Sequence, residues 1–280
     1  MRTPVARAFA VLALVGLAAC STREKSQAVV VPVAPPIVTI HATDYAYQAP
    51  DSISGGMVTL RLINDGHALH HATILKLDTT KTVADLEAAL KHPGPPPAWA
   101  TPLGGPNAPA PGDTSNATLY LAPGHYAVVC FVDMPGGVAH FMKGMIRGFV
   151  VRAAAEGATT SIAADNSIQL VDYGFVFAQP LTAGHHVFAV RNSAKQPHEV
   201  EIVKLAPGKT TNDVLAWLQK PVGPPPGEAL GGVAAEAPGV MDYLAMDITP
   251  GNYLFICFVP DAKDGKPHFT HGMMHVETVT

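Results

Sequence analysis

One pattern occurs twice in this chain of 280 residues, at a spacing of about 128 residues. The clearest match pairs NDGHALHHATILKL at 64–77 with NSAKQPHEVEIVKL at 192–205. A repeat this long indicates a duplicated domain, because solenoid repeats have periods of roughly 20–50 residues. Each unit therefore has to form a core of its own. The other matching pairs are 44–47 with 172–175, 94–97 with 223–226, 104–105 with 231–232, 123–126 with 250–253 and 130–132 with 257–259.

Short apolar segments between turn residues predict strands in each unit. One helix per unit is predicted as well, at 83–90 after a Thr82 cap and at 214–218 after Asn212 and Asp213. About seven short strands and one helix in ~115 residues predict an all-β fold of two tandem Greek-key β-sandwiches, each with one short helical insertion. The clearest strands are 58–64, 118–121, 126–132 and 148–151, then 186–192, 243–248, 253–259 and 274–279.

The amino terminus is typical of a sorting signal. Arg2 and Arg7 precede an apolar run at 8–19, which is shorter than the ~20 residues that span a bilayer. The run ends in Leu17-Ala18-Ala19-Cys20, which resembles the lipobox of bacterial lipoproteins. This resemblance implies lipidation of Cys20, and Ser21 resembles the outer-membrane sorting class. An ordinary signal peptide beside a cysteine is the alternative.

These features predict five segments along the chain. They are a lipoprotein signal peptide at 1–19, a Pro/Val-rich tether at 20–36, a first domain at 37–152, a linker at 153–163 and a second domain at 164–280. We expect a protein of the bacterial cell envelope, held by its lipid at the outer membrane and facing the periplasm.

Charged residues make up only 14% of the chain and the net charge is −4, so nucleic-acid binding is excluded.

Cysteine, histidine and methionine recur in the same order in both units. A cysteine ends a late strand, and a histidine and a methionine follow it in one loop with His-x₄-Met spacing. A further histidine lies upstream, after an earlier strand. The candidate metal ligands are His70, Cys130, His140 and Met145 in the first unit and His198, Cys257, His268 and Met273 in the second.

Two imidazoles, one thiolate and a weak axial thioether are the ligands that suit type 1 copper. Thiolate and thioether favour Cu(I), and imidazole accepts both Cu(I) and Cu(II). A single histidine followed by Cys…His-x₄-Met resembles the cupredoxins, the blue copper proteins, over about 115 residues in each half. The resemblance implies cupredoxin-like sandwiches, the eight ligands above, up to two type 1-like copper sites and one-electron transfer.

Two features depart from the better-known blue copper proteins. Nine residues separate Cys130 from His140 and ten separate Cys257 from His268, where those proteins use a much shorter gap. Turn residues within both segments allow the longer loop to fold back. The second departure is Glu199, which follows His198 where the first unit has His71. A different outer shell shifts the potential of one copper relative to the other.

Several assignments stay open at this stage. His67 or His71 can replace His70, Met274 competes with Met273, and each methionine or cysteine can simply be a core residue. A Cys130–Cys257 disulfide is chemically permitted outside the cytoplasm. His271 and His275 flank the second methionine. Solvated or capping roles are expected for His41, His92, His125, His185 and His186.

The sequence favours an electron carrier, with a redox partner protein or a copper donor or acceptor in the envelope. Copper storage or delivery and a metal-free binding module are alternatives. A copper oxidoreductase, such as a nitrite reductase or a small multicopper oxidase, is disfavoured. Those enzymes place a histidine beside the type 1 cysteine, whereas Val129 and Ile256 precede the cysteines here.

Overall fold

Each half of the chain folds into two β-layers packed face to face, and one eight-stranded sheet supplies a layer to both halves. The computed structural model describes residues 34–92, 94–134, 136–159 and 161–280. The predicted signal peptide, Cys20 and most of the predicted tether lie outside these residues. Among the described residues, no helix is both long enough and apolar enough to cross a membrane.

The first half contains nine strands and one α-helix within the described residues. They are β1 (Ile37–Thr43), β2 (Ala46–Gln48), β3 (Ser52–Ser54), β4 (Gly56–Asn64), β5 (Thr73–Leu77), α1 (Val83–Leu90), β6 (Ala100–Pro102), β7 (Thr114–Leu121), β8 (Gly124–Val129) and β9 (Ile146–Arg152). One layer has the strand order β2-β1-β4-β7 and the other β3-β9-β8-β5-β6.

The second half repeats this plan. Its elements are β10 (Asn166–Val171), β11 (Gly174–Phe177), β12 (Gly184–Asn192), β13 (His198–Leu205), α2 (Thr211–Gln219), β14 (Gly227–Glu236), β15 (Met241–Ile248), β16 (Gly251–Ile256) and β17 (Met274–Val279). The layers are β11-β10-β12-β15 and β14-β13-β16-β17. The predicted all-β fold of two tandem sandwiches, each with a short helix, is confirmed.

The space between the layers holds an apolar core in each half. Alternate residues of β4, such as Leu60 and Leu62, pack against Ile74 and Val128 from the facing sheet. Phe188 and Phe255 occupy the corresponding core of the second half. The cysteine and the loop methionine of each predicted site belong to these same cores.

The two helices begin with the same capping arrangement. The predicted start of α1 after Thr82 is confirmed. The predicted start of α2 is wrong, because the helix begins at Thr211 and Thr210 is its N-cap. Asp213 is instead the third helical residue, and its carboxylate accepts a hydrogen bond from the Thr210 N–H at 2.9 Å. Thr210 and Asp213 thus form a capping box, which moves the helix start toward the amino terminus.

The halves are joined by a segment at 103–109 that lies between β5 and β14. Leu103 N–H donates to the Ile74 carbonyl at 2.8 Å, and on the other side Gly104 N–H donates to the Ala235 carbonyl at 2.9 Å. The segment pairs antiparallel with β14, with Pro106 opposite Val233. In the other layer, β7 pairs with β15 at Thr118 and Tyr243.

Glycine is required where this segment approaches its neighbours. Gly105 has a φ of +108°, and a Cβ there would lie 2.3 Å from the Ala72 carbonyl oxygen. A Cβ on the matching Gly232 would lie 2.1 Å from the Val200 carbonyl oxygen. The repeated glycine pair therefore marks a close contact of backbones.

The described residues belong to a single compact unit, so division into domains at 153–163 stays a prediction.

A pair of buried carboxyl groups lies at the same join. Glu236 and Asp242 are fully buried, and Gly105 N–H donates to Asp242 Oδ2 at 3.0 Å. The other three carboxyl oxygens have no hydrogen-bond partner among the described residues. Burial raises the pKa of both groups well above the usual range, and the charge of Asp242 raises the pKa of Glu236 further.

We expect this pair to make the protein less stable as the pH rises. The folded chain keeps both carboxyls protonated where the unfolded chain has lost those protons, so the free energy of unfolding falls above about pH 4. Asp242→Asn should make the decline shallower by up to about 1.4 kcal/mol per pH unit. Urea unfolding of the metal-free chain between about pH 4 and 8 measures the slope. An unchanged slope would contradict the expectation.

Candidate metal centres

Three predicted ligands meet in the first half. His70 lies in the loop before β5, Cys130 directly follows β8, and His140 begins a short 3-10 helix. One ligand atom from each lies within 4.8 Å of the other two. The Nδ1 atoms of His70 and His140 are 3.1 Å apart, and Cys130 Sγ is 3.5 Å from His140 Nδ1. All three side chains are buried.

The second half brings the matching residues together. His198 begins β13, Cys257 follows β16, and His268 begins a second 3-10 helix. Cys257 Sγ lies 3.4 Å from His268 Nδ1 and 4.0 Å from His198 Nδ1. These residues are completely buried as well. The repeat in sequence is thus a repeat of one side-chain arrangement.

The long loops return to their cysteines by forming small hairpins. Asp133 pairs with Ala139 in the first loop, and Pro260 pairs with Pro267 in the second. Phe141 N–H then donates to the Cys130 carbonyl at 3.0 Å, and Phe269 N–H donates to the Cys257 carbonyl at 2.9 Å. The additional residues protrude as hairpin turns, so they do not keep the histidine away from the cysteine.

Each loop methionine lies beside its cysteine. Gly144 and Gly272 end the 3-10 helices with φ of +103° and +98°, which a glycine adopts without strain. The next residue in each case is the methionine, whose carbonyl accepts a hydrogen bond from the cysteine N–H at 3.1 Å for Met145 and 3.3 Å for Met273. Met274, the alternative to Met273, packs in a different cluster around Leu205 and Phe258.

Both halves share an outer carboxylate that the sequence analysis missed. Asp44 Oδ1 lies 3.0 Å from His70 Nε2, and Asp172 Oδ1 lies 3.0 Å from His198 Nε2. These contacts place the ring proton on Nε2 and leave a lone pair on Nδ1, which lies 3.1 Å from His140 Nδ1 in the first half and 4.0 Å from Cys257 Sγ in the second. The repeated Asp-Tyr at 44–45 and 172–173 was a signal for them. A hydrogen bond from His67 N–H lowers the pKa of Asp44, and the His198 ring lowers that of Asp172.

The tyrosine of each repeated Asp-Tyr packs against the second histidine. The Tyr45 ring meets His140 edge-on at 5.2 Å between centroids, and the Tyr173 ring meets His268 at 5.6 Å. Both tyrosines have positive φ, 68° and 65°. This backbone conformation is uncommon for tyrosine, and it turns the ring towards the site.

The residues after the first histidines differ in type, but both accept a hydrogen bond from the N–H of the residue that follows the cysteine. His71 Nε2 accepts a hydrogen bond from Phe131 N–H at 2.6 Å, and Glu199 Oε1 accepts from Phe258 N–H at 2.9 Å. His71 is therefore directed away from the ligand group. His67, the other alternative, is largely exposed beside Asp44.

The remaining predictions concern the cysteines and the other histidines. Cys130 and Cys257 are free, so the alternative of a disulfide is not observed between them. Five other histidines each lie against a carboxylate, namely His41, His185, His186, His271 and His275. A third group of metal-ligand types, Asp261, Asp264 and His271, lies in the loop between Cys257 and Met273.

Two imidazole nitrogens and a thiol therefore converge in each half, in a core that also holds the loop methionine. The donor set fits copper, and each His-Cys-His group could hold one copper ion. Both halves are β-sandwiches that place these residues in the same arrangement. The role of each of the eight residues as a ligand stays a prediction.

No family model matches the sequence, and no curated protein matches it. Similar solved structures include auracyanin A, a "blue" copper protein from Chloroflexus aurantiacus, with 23% identity over 42% of this chain and 99% of that one, at a TM-score of 0.31. Auracyanin from Roseiflexus castenholzii has 22% identity, with 44% and 100% covered and a TM-score of 0.28. A copper nitrite reductase from Nitrosomonas europaea has 14% identity, with 87% and 93% covered and a TM-score of 0.25.

Burial controls the protonation of the two candidate metal sites before metal binds. It raises the pKa of Cys130 to about 11 and that of Cys257 well above the usual range. It also lowers the pKa of His140 and His198, and lowers that of His268 to about 4. Near neutral pH the metal-free sites therefore hold protonated thiols, and the imidazoles of His140, His198 and His268 are neutral.

We expect copper binding to release one proton per site, from the thiol. Because burial raises the pKa of both thiols, they are still protonated in this range, and the dissociation constant should fall about tenfold per pH unit between about pH 7 and 9. Anaerobic Cu(I) titration calorimetry in buffers of different ionisation enthalpy counts the protons. Binding without proton release would contradict thiolate ligation.

The outer carboxylates allow a test with an internal control. Asp44→Ala should weaken copper binding at the first site roughly 10- to 100-fold, because His70 loses the partner that fixes its tautomer. The second site should be unchanged, and Asp172→Ala should give the reverse result. Competition with a Cu(I) chelator measures both affinities. Equal loss at both sites in either variant would contradict a local role.

Proposed function

We propose that this chain is a copper protein of the bacterial cell envelope that carries single electrons through a type 1 copper in each half. The observation that supports it is the repeated buried group of two histidine Nδ1 atoms and one cysteine Sγ, all within 4.8 Å. When bound, copper supplies a metal centre that alternates between Cu(I) and Cu(II).

The surrounding residues suit a centre that changes charge without rearranging. The cysteine and the loop are joined by backbone hydrogen bonds in both directions, and the first histidine is held by an aspartate. Rigid ligands impose one geometry on both oxidation states, which favours electron transfer. Backbone N–H groups near each cysteine sulfur also lower the pKa of its thiol, those of His71 and Val132 in the first half and those of Glu199 and Val259 in the second. These donors stabilise a thiolate.

A carrier is favoured over the two other copper functions. A store or delivery protein exchanges its metal, whereas all six histidine and cysteine ligands here are at most 1% exposed. In a copper oxidoreductase we expect a ligand beside the cysteine that leads to a catalytic metal. The neighbours here are Val129 and Ile256, which are apolar and buried.

We also propose that lipidation of Cys20 anchors the protein at the outer membrane, facing the periplasm, where it meets a redox partner protein. The support is the order of positive residues, apolar run and lipobox at 1–20. The Cys20→Ser variant should lose the mass of the lipid and appear in the soluble periplasmic fraction. Retention of this variant in the membrane fraction would argue against the anchor.

The metal assignment predicts a specific optical result. Cu(II) added to the metal-free chain should give an intense thiolate-to-copper band with two coppers per chain. Cys130→Ser and Cys257→Ser should each remove one copper, and the double variant should be colourless. Visible absorption with metal analysis checks this.

Each other outcome points to a different function. Binding of Cu(I) without a coloured Cu(II) form would favour storage or delivery. No binding in either oxidation state would leave a metal-free sandwich. Substrate oxidation or nitrite reduction by the loaded chain would favour an enzyme.

A further inference from the structure

The two candidate copper sites are connected by side chains at the join between the halves. Asn107 is the central residue, on the segment 103–109 that pairs with β14. It is 3% exposed, and its backbone N–H donates to the Gly232 carbonyl at 3.0 Å. Its side chain lies between His71 of the first half and Glu199 of the second.

The connection begins at the backbone of the first cysteine. Phe131, the residue after Cys130, donates its N–H to His71 Nε2 at 2.6 Å. An acceptor at Nε2 places the ring proton on Nδ1. Nδ1 lies 3.3 Å from Asn107 Oδ1 and donates to it. The same Oδ1 also accepts from Ala108 N–H at 3.0 Å, which fixes the orientation of the amide.

The amide then continues into the second half. Asn107 Nδ2 donates to Glu199 Oε2 at 3.4 Å, and Glu199 Oε1 accepts from Phe258 N–H at 2.9 Å. Phe258 directly follows Cys257. Glu199 N–H also lies 3.5 Å from Cys257 Sγ and donates to it. From one cysteine to the other, each hydrogen-bond donor in this series of contacts is paired with an acceptor.

We propose that His71, Asn107 and Glu199 form a hydrogen-bonded bridge through which the two copper sites exchange an electron within one chain. This inference rests on the proposed function. In the step, one copper is oxidised from Cu(I) to Cu(II) while the other is reduced from Cu(II) to Cu(I), so no proton or further reactant is needed. Asn107 is a positioning residue, because it contacts neither predicted metal ligand.

Two properties of the bridge suit this role. It is buried, so water does not compete for its hydrogen bonds, and bonds in such a series polarise one another. It also ends in a different group at each site, an imidazole beside Cys130 and a carboxyl beside Cys257. Different outer shells give the two sites different potentials, so the exchange has a direction.

The test measures electron exchange in the full chain loaded with two coppers. A Met273→Gln background gives the second site its own spectrum, because the axial ligand tunes a type 1 centre. A flash-generated one-electron reductant is added below stoichiometry, and the absorbance of both sites is followed. We expect a second, first-order phase whose rate does not depend on protein concentration.

Asn107→Ala should slow that phase roughly tenfold or more, the scale on which outer-shell partners of metal sites act. The matched control is Asn116→Ala. Asn116 also spans the join, with its Nδ2 donating to the Ala245 carbonyl at 2.9 Å, but it is not part of the bridge. The control should keep the native rate. Equal slowing in both variants, or no first-order phase in the unsubstituted bridge, would overturn the proposal.

Two further measurements test the bridge even if the Asn107→Ala variant fails to fold. Glu199→Gln keeps the volume but offers one oxygen where the bridge needs two, so it too should slow the exchange. In the metal-free chain, ¹⁵N NMR should find the His71 proton on Nδ1, and a proton on Nε2 would overturn the bridge. A chain that binds no copper would instead refute the proposed function, whereas two loaded, reducible sites without exchange would refute the bridge alone.

Discussion

The strand-like segment at 103–109 is the constraint on which most of this structure depends. It hydrogen-bonds to β5 on one side and to β14 on the other, and this double pairing makes two sandwiches into one compact unit. Because the backbone N–H and C=O groups on both sides of this segment must be hydrogen-bonded, the two halves can pack against each other in few ways. This contact requires glycine at positions 105 and 232, because the Cβ of any other residue there would overlap a carbonyl oxygen.

The same segment determines what surrounds the two sites. His71 and Glu199 each lie one residue after a predicted ligand, and both are directed towards the join. The inner groups are nearly the same in the two halves, with aspartate, tyrosine, histidines, cysteine and methionine in matching places. The difference lies in the outer groups at the join. Two candidate copper sites with similar inner groups therefore have different outer groups. Glu199 is the clearest example, because burial raises the pKa of its carboxyl to about 7.

Much of this organisation could be predicted from the sequence. The repeat, the strand pattern and the order of Cys, His and Met are local signals, and the structure brings six of the eight candidates into two groups. The missed features depend on tertiary contacts. Asp44 lies far from His70 in sequence, and Asn107 has no counterpart of its own type in the repeat. The error at α2 has a local cause. Asn212 and Asp213 are typical N-cap residues and favoured a start after them, whereas the capping box begins at Thr210.

The pairing at the join also has a symmetry with a consequence for the origin of the chain. Since Gly104 and Gly105 match Gly231 and Gly232, Pro106 matches Val233, and these two residues face each other. A position that meets its own equivalent is the mark of a two-fold axis, as in a dimer of identical subunits. The molecule thus has the form of a symmetric dimer joined into one polypeptide. In a true dimer every side chain would occur on both sides of the axis. Joining the copies removed that restriction, so Asn107 can stand where the other half has Ala234.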